Sequence, residues 1–286
     1  MIAPTFLDAR LDAELDANGF VVVDWFTPDE IARLRRDIVE HYPDTRGFAT
    51  SVEMTDGPYR AGVHEFLHRA FRPTADRLFV DHQMNLTAVA IKWPGDAGVK
   101  PLHQDWTLCD ETQFRSVNVW APLVDCSEVN GTLYVLPGSH RVLDRIRPAP
   151  RFPTGYEDPI EQLDLTDLQE VRVAAGQAIV MDLAIIHGSP ANRTDDPRVV
   201  VAANFLPRRS PISYYYCDLD DDVQHYDVDD ITFFQRFDFR APPRDLVSHG
   251  SVPFAPPSYS SAQIRSSSEA SARRAPARRT AGGATG

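Results

Sequence analysis

The sequence predicts a mainly β protein, a jelly roll with helices flanking it on the N-terminal side. From Gln83 onward the chain breaks into short apolar runs at 84–93, 116–124, 131–136, 171–174, 177–186, 198–206 and 211–217, separated by Pro, Gly, Asn and Asp. Short runs with turn residues between them and no helical period predict antiparallel sheets of sandwich or jelly-roll type rather than βαβ units. Residues 1–82 instead show apolar positions at helical spacing. The expected organisation is one domain over residues 1–255, with a helical part at 1–82, a jelly-roll core at about 83–217, and a disordered Ser/Ala/Arg-rich tail at 256–286.

Each N-terminal element has its own signal. Phe6, Leu7, Leu11 and Leu15 recur at helical spacing and lead through Asn18-Gly19, a stop signal, into the apolar run Phe20 to Phe26. Thr27-Pro28-Asp29-Glu30 then opens a second helix. Thr27 serves as N-cap, Pro28 takes the first position, and Glu30 completes a capping box; the apolar spacing of Ile31, Leu34, Ile38 and Val39 carries that helix to about His41. Residues 44–62 are rich in turn formers, and 64–78 read as a third helix. The Pro-rich, charged segment 143–170 has no clean period and reads as a functional lid or a mobile loop between strands.

Composition narrows the function classes. A formal charge of −12 argues against nucleic acid as a partner for the body of the protein, although the tail is locally basic. Three cysteines make no disulfide framework, and no apolar run approaches the roughly 18 residues of a membrane span. With no signal-peptide pattern at the N-terminus, the expectation is a soluble cytoplasmic protein that acts on a small molecule.

The first chemical signal is His103-Gln104-Asp105. In an extended chain, residues two apart project from one face, so an imidazole and a carboxylate would address one point. That is two thirds of the 2-His-1-carboxylate triad that holds non-haem Fe(II) and leaves positions open for substrate and oxygen. A second His-x-Asp triplet, His225-Tyr226-Asp227, lies among Asp218, Asp220, Asp221, Asp222, Asp229 and Asp230 and reads as part of a solvated acidic loop.

The third ligand is sought downstream. Gln177 to Ile186 is a nearly continuous apolar run that ends at His187 and then turn residues, so this imidazole emerges from a buried strand. Beyond the turn the chain returns as Arg198-Val-Val-Val-Ala-Ala-Asn-Phe205. An arginine opening an apolar strand needs a carboxylate, and its planar fork suits bidentate capture of one. A carboxylate ligand beside a three-residue iron site points to a 2-oxo acid.

These pieces, together with the block Asn130-Gly131-x-Leu133-x-Val135-x-Pro137-Gly138-Ser139-His140, Gly188-Ser189 and Asn192, resemble the phytanoyl-CoA dioxygenase family of Fe(II)/2-oxoglutarate-dependent oxygenases. The resemblance runs from about residue 15 to 217 and is strongest over 100–206. It implies a double-stranded β-helix of cupin-like form, with Fe(II) as metal and 2-oxoglutarate and O2 as cosubstrates. His103, Asp105 and His187 would hold the iron and Arg198 the distal carboxylate of 2-oxoglutarate. Ser189 would add a hydrogen bond to that carboxylate, while Trp120 and Gln104 would complete the cosubstrate pocket. Because Asp105 occupies the position that halogenating relatives leave to a small residue, the resemblance implies hydroxylation, desaturation or a related oxidation, with release of succinate and CO2.

Trp106, Thr107, Asp110 and Arg115 follow the metal pair and are candidates for the substrate pocket. His140 reads as part of a strand-closing turn, Cys109 as a small buried residue, and Asp182 as a support for a ligand or a group paired elsewhere. The expected substrate is a natural product or an amino-acid-like molecule. The competing classes are a cupin-type metal enzyme that uses no 2-oxo acid, against which Arg198 argues, and a jelly-roll binding protein, against which the intact triad argues.

Overall fold

A computed structural model describes residues 2–41, 45–54, 56–141, 146–150, 168–217 and 222–253. The tail expected at 256–286 and most of the 143–170 segment lie outside the described residues. In chain order the elements are α1 (Ala9–Asn18), β1 (Phe20–Asp24), α2 (Pro28–His41), β2 (Phe48–Thr50), α3 (Gly57–Leu78), β3 (His82–Lys92), β4 (Lys100–His103), β5 (Val117–Pro122) and β6 (Tyr134–Val135). They continue with β7 (Gln169–Glu170), β8 (Gln177–Asp182), β9 (His187–Ser189), β10 (Arg198–Pro207), β11 (Ser213–Cys217), β12 (Val223–Asp227), α4 (Phe233–Arg236) and β13 (Ser248–Val252). Among the described residues no helix is long and apolar enough to cross a membrane.

The helix boundaries follow the sequence signals. Gly19 caps α1 in the left-handed region at φ 81°, and its N–H donates to the Leu15 carbonyl at 2.8 Å. At the start of α2 the capping box forms as expected: the Glu30 carboxylate accepts from Thr27 N–H at 2.8 Å, and Thr27 Oγ1 accepts from Glu30 N–H at 3.4 Å. The third helix begins at Gly57, seven residues before the sequence expectation, because Asp56 accepts from the Tyr59 N–H and Pro58 fits the first turn.

Two sheets form the jelly roll. A six-stranded antiparallel sheet has the order β1-β8-β5-β10-β3-β2, and a four-stranded sheet has the order β4-β9-β6-β7. The large sheet is buried on both faces, which is why its strands read as unbroken apolar runs. The two-residue period divides them. Val199, Val201, Ala203 and Phe205 of β10 join Val117, Val119, Ala178, Val180, Val89 and Ile91 in a core under α1, α2 and α3. The alternate residues Val200, Trp120, Ile179 and Met181 pack against Leu133, Val135, Val171 and Val173 on the side of the smaller sheet.

The third sheet, β11-β12-β13, corrects the acidic-loop reading at Val223–Asp227, while 218–221 lie outside the described residues. His225 sits in β12, where its ring stacks on Tyr215 at 4.8 Å and its Nε2 meets Ser213 Oγ at 3.1 Å. Val223 and Tyr226 are buried in this strand, which the acidic residues around it in sequence concealed. Two further departures are local. The ladder expected at 171–174 is instead Gln169–Glu170 with a single bridge at Val173, and the 177–186 run ends as a strand at Asp182 before a turn leads to His187.

Candidate metal centre

The two candidate histidines are cross-strand partners. In the β4–β9 ladder His103 pairs with His187 and Lys100 with Ser189, so both imidazoles leave the smaller sheet toward the larger one, with ring centroids 4.3 Å apart. Asp105 lies just past the end of β4 rather than inside it. Its backbone N–H donates to the Leu183 carbonyl at 3.0 Å, and this contact bends the chain so that the carboxylate still reaches the same point. One ligand atom from each of His103, Asp105 and His187 lies within 4.8 Å of the others, and this is the group of metal-ligating side chains that converges among the described residues.

Each ligand is held from behind. His103 Nδ1 meets the Pro101 carbonyl at 2.7 Å and His187 Nδ1 the Ile185 carbonyl at 3.1 Å, so each Nδ1 acts as the donor and Nε2 keeps its lone pair for a cation. Burial, reinforced by His187 alongside, lowers the His103 pKa well below the usual imidazole value, which keeps that ring neutral. Asn118 Nδ2 donates to Asp105 Oδ2 at 3.2 Å. The Arg147 guanidinium donates from Nε to the Asp105 carbonyl at 2.6 Å and grips Glu111 through its two terminal nitrogens.

The three ligands open on a cavity of about 240 Å³ between the sheets. Leu86, Ala88 and Ala90 of β3, Asn118 and Trp120 of β5, and Arg198, Ala202 and Asn204 of β10 line its floor, all at inward-facing positions of the two-residue period. Phe48, Val52, Leu108, Trp106 and Phe239 wall it, with Lys100 and Glu53 as the charged side chains among them.

Arg198 is 2% exposed, and its guanidinium carbon stands 5.1 Å from the Trp120 ring centroid. Its Nη1 donates to the Gly131 carbonyl and contacts Ser189 Oγ at 3.4 Å, while its Nε has no hydrogen-bond partner. Burial lowers its pKa to about 10. A buried guanidinium with an unused N–H fits a bound carboxylate that would complete its hydrogen bonding. Lys92, the register partner of Arg198, is also fully buried, and burial with Arg198 nearby pushes its ammonium down to about 6.

Of the residues singled out from sequence, the structure brings His103, Asp105, His187, Arg198, Ser189, Trp120 and Trp106 to this cavity. The others lie elsewhere. Gln104 points away and donates to the Ala184 carbonyl. Thr107 accepts from the Arg147 N–H at 3.0 Å, and Asp110 caps its own turn at Thr112 and Gln113. Arg115 is buried between Asp16 at 2.9 Å and Asp182 at 3.4 Å, so Asp182 serves that pair rather than a metal ligand. Gln104 and Thr107 alternate with the lining residues His103, Asp105, Trp106 and Leu108 and so face away, and the chain leaves the cavity beyond Leu108, before Asp110 and Arg115. His140 packs against α1, with Nε2 3.2 Å from the Asp16 carbonyl, and Cys109 is buried against Ser116.

Sequence reasoning did not find Asn118, Asn204, Lys92 or Arg147. The signal for the first three was present: a polar residue inside an apolar strand needs a partner, the same logic that singled out Arg198. Arg147 gave no such signal, because it lies in a segment without a period.

The model of the phytanoyl-CoA dioxygenase family, PhyH, matches residues 15–200. The curated protein "Dioxygenase trt7" of Aspergillus terreus is 26% identical over 231 residues, covering 72% of this chain and 76% of its own length. "Phytanoyl-CoA dioxygenase 1" of Oryza sativa is 30% identical over 102 residues, 35% of this chain and 36% of its own. Among solved structures, HygX from Streptomyces hygroscopicus with nickel and 2-oxoglutarate bound superposes with a TM-score of 0.52 at 17% identity, covering 71% of this chain and 88% of that one.

Proposed function

The chain belongs to the phytanoyl-CoA dioxygenase family, and from that premise we propose that it is an iron(II)- and 2-oxoglutarate-dependent oxygenase that hydroxylates or desaturates a largely apolar small molecule of natural-product type. The observation that carries this reading is the convergence of His103, Asp105 and His187 on one wall of a cavity whose other end holds Arg198 with an unpartnered Nε. Two imidazole nitrogens and one carboxylate oxygen are the donor set of a non-haem iron site with positions left open.

Each residue then has a defined task. His103 and His187 present Nε2 to the metal because backbone carbonyls occupy Nδ1. Asp105 offers Oδ1, since Asn118 holds Oδ2. Arg198 and the Ser189 hydroxyl bind the distal carboxylate of 2-oxoglutarate, and Trp120 flanks the guanidinium. With iron, 2-oxoglutarate and O2 bound, the site supplies an oxidant strong enough to remove substrate hydrogen, with release of succinate and CO2. The chain itself orients these groups and excludes water through Leu86, Leu108, Trp106 and Phe239.

The apolar lining favours a substrate with an extended hydrocarbon or aromatic body and few polar groups, the latter met by Lys100 and Glu53. That HygX carries nickel and 2-oxoglutarate in this fold accords with the cosubstrate assignment.

Anaerobic reconstitution with Fe(II) and 2-oxoglutarate tests the reading. A weak visible metal-to-ligand charge-transfer band is expected, and folded protein that binds iron without producing it rejects the assignment. His187→Ala should lose iron, whereas Arg198→Ala should keep iron and bind 2-oxoglutarate weakly.

A further inference from the structure

Lys92 ends β3 at the same parity as Leu86, Ala88 and Ala90, so its side chain enters between the sheets, directly across from Arg198. It is 0% exposed. Its Nζ donates to the Ser189 carbonyl at 3.2 Å, to Ser189 Oγ, and to the Pro190 carbonyl at 2.5 Å. Arg198 and Lys100 both disfavour a further positive charge on it, and no carboxylate pairs with Lys92 or Arg198 among the described residues. Two neighbouring buried basic groups thus share one hydroxyl without an anionic partner among the described residues, and burial disfavours charge on both of them until an anion arrives.

The hydroxyl between them shows what the arrangement does. Ser189 Oγ accepts from Lys92 and faces Arg198 Nη1, and it donates its one proton to the Gly131 carbonyl at 2.8 Å. Gly131 is already an acceptor for Arg198. It also approaches Lys92 so closely that a Cβ there would lie 2.9 Å from Lys92 Cδ and 3.1 Å from Nζ, at a backbone φ of 81°. Lys92 is therefore clamped in place, and it occupies Ser189 Oγ as an acceptor. With Lys92 filling the acceptor side of this hydroxyl, Ser189 keeps its proton as its means of engaging a carboxylate on Arg198, swinging it there from the Gly131 carbonyl.

We propose that Lys92 is a positioning residue of the cosubstrate anchor: it commits the Ser189 hydroxyl to donation and adds a second positive charge behind Arg198, so that the site selects a 2-oxo acid bearing a distal carboxylate. This rests on the 2-oxoglutarate reading above. Lys92 does not line the cavity and acts through Ser189 and Arg198.

The test compares two 2-oxo acids that chelate iron identically, 2-oxoglutarate and 2-oxopentanoate, the second lacking the distal carboxylate. Anaerobic Fe(II) protein is titrated with each and the charge-transfer band read. Wild type should prefer 2-oxoglutarate; a wild type that binds both equally rejects the Arg198 anchor itself, and this proposal with it. Lys92→Met should weaken 2-oxoglutarate at least tenfold while 2-oxopentanoate and Fe(II) binding stay within twofold of wild type. Equal weakening of both acids, or of neither, overturns the proposal. Lys92→Gln, which keeps donors toward Ser189 and Pro190, guards against a misfolded Met variant. It should lose part of the preference, and wild-type discrimination in Lys92→Gln overturns the role of the charge.

Discussion

Asn118 Nδ2 donates to Oδ2 of Asp105 at 3.2 Å, from an inward position of β5 two residues before Trp120. One carboxylate oxygen is thereby fixed by the larger sheet, and the other stands 4.0 Å from His103 Nε2. The ligands come from the smaller sheet and the residue just beyond it, and one of them is held by the larger sheet, so metal affinity depends on how the two sheets are held together.

Removing that hydrogen bond frees the carboxylate to rotate away from the histidines. Asn118→Ala should lower affinity for Fe(II), or for Co(II) as an aerobic probe, by about 10- to 100-fold, the usual cost of deleting a group that orients a ligand. Titration of the Co(II) absorption measures it, and an unchanged affinity would show that Asp105 needs no such support.

Arg147 joins the Asp105 carbonyl to a largely buried carboxylate. It is 2% exposed and pairs with Glu111 at 2.8 Å and 2.5 Å, while burial raises the pKa of Glu111 against the pull of Arg147. Arg147→Met strands Glu111 and should cost about 3 kcal/mol, the low end for breaking a buried pair because Glu111 keeps some exposure. Urea unfolding reads this loss, and the double variant Arg147→Met/Glu111→Leu should recover part of it.

Gly131 bears on the anchor through its backbone. In Gly131→Ala the new methyl would lie 2.6 Å from the Pro190 carbonyl oxygen at φ 81°. The variant should lose more than about 1 kcal/mol of stability and bind 2-oxoglutarate more weakly, since the carbonyl that positions Arg198 must move. Thermal unfolding and the charge-transfer titration would both shift; a variant with wild-type values in both would exclude the close approach.

Acid sensitivity has an identifiable source in His64. Buried on α3 and hydrogen-bonded to Thr87 Oγ1 at 3.2 Å, it is pushed down to about 4, chiefly by burial and then by His68. Its folded pKa lies below the unfolded value of 6.5, so between those limits the unfolded chain binds the extra proton. Stability is therefore full above about pH 6.5 and falls as pH drops toward 4, by at most about 1.4 kcal/mol per unit for this one group. Asp182 and Glu111 shift upward and oppose the trend at the acid end. The informative quantity is thus the difference between wild type and His64→Gln, which should be less stable at pH 7 and lose less between pH 7 and 5. Parallel pH profiles would exonerate His64.

The sequence alone determined the elements with local causes. Thr27 and Glu30 mark where α2 starts, Asn18-Gly19 where α1 stops, and the unbroken apolar runs mark strands buried on both faces, because capping, chain stiffness and burial act over a few residues. It also singled out His103 and Asp105, whose spacing of two aims both at one point, and His187 and Arg198, since such a group at the end of an apolar strand carries a desolvation cost that calls for a partner.

Tertiary structure decided which residues share a space. His103 faces His187 because β4 pairs with β9 in that register, and Lys92 meets Arg198 through a ladder whose partners are about a hundred residues apart. Gln104, Thr107, Asp110 and Arg115 are sequence neighbours of the ligands, yet Gln104 and Thr107 alternate to the other side of the chain and Asp110 and Arg115 lie past the point where it leaves the cavity. Proximity along the chain measures reach, whereas sheet register fixes direction, and register arises from non-local pairing that no short stretch of sequence encodes.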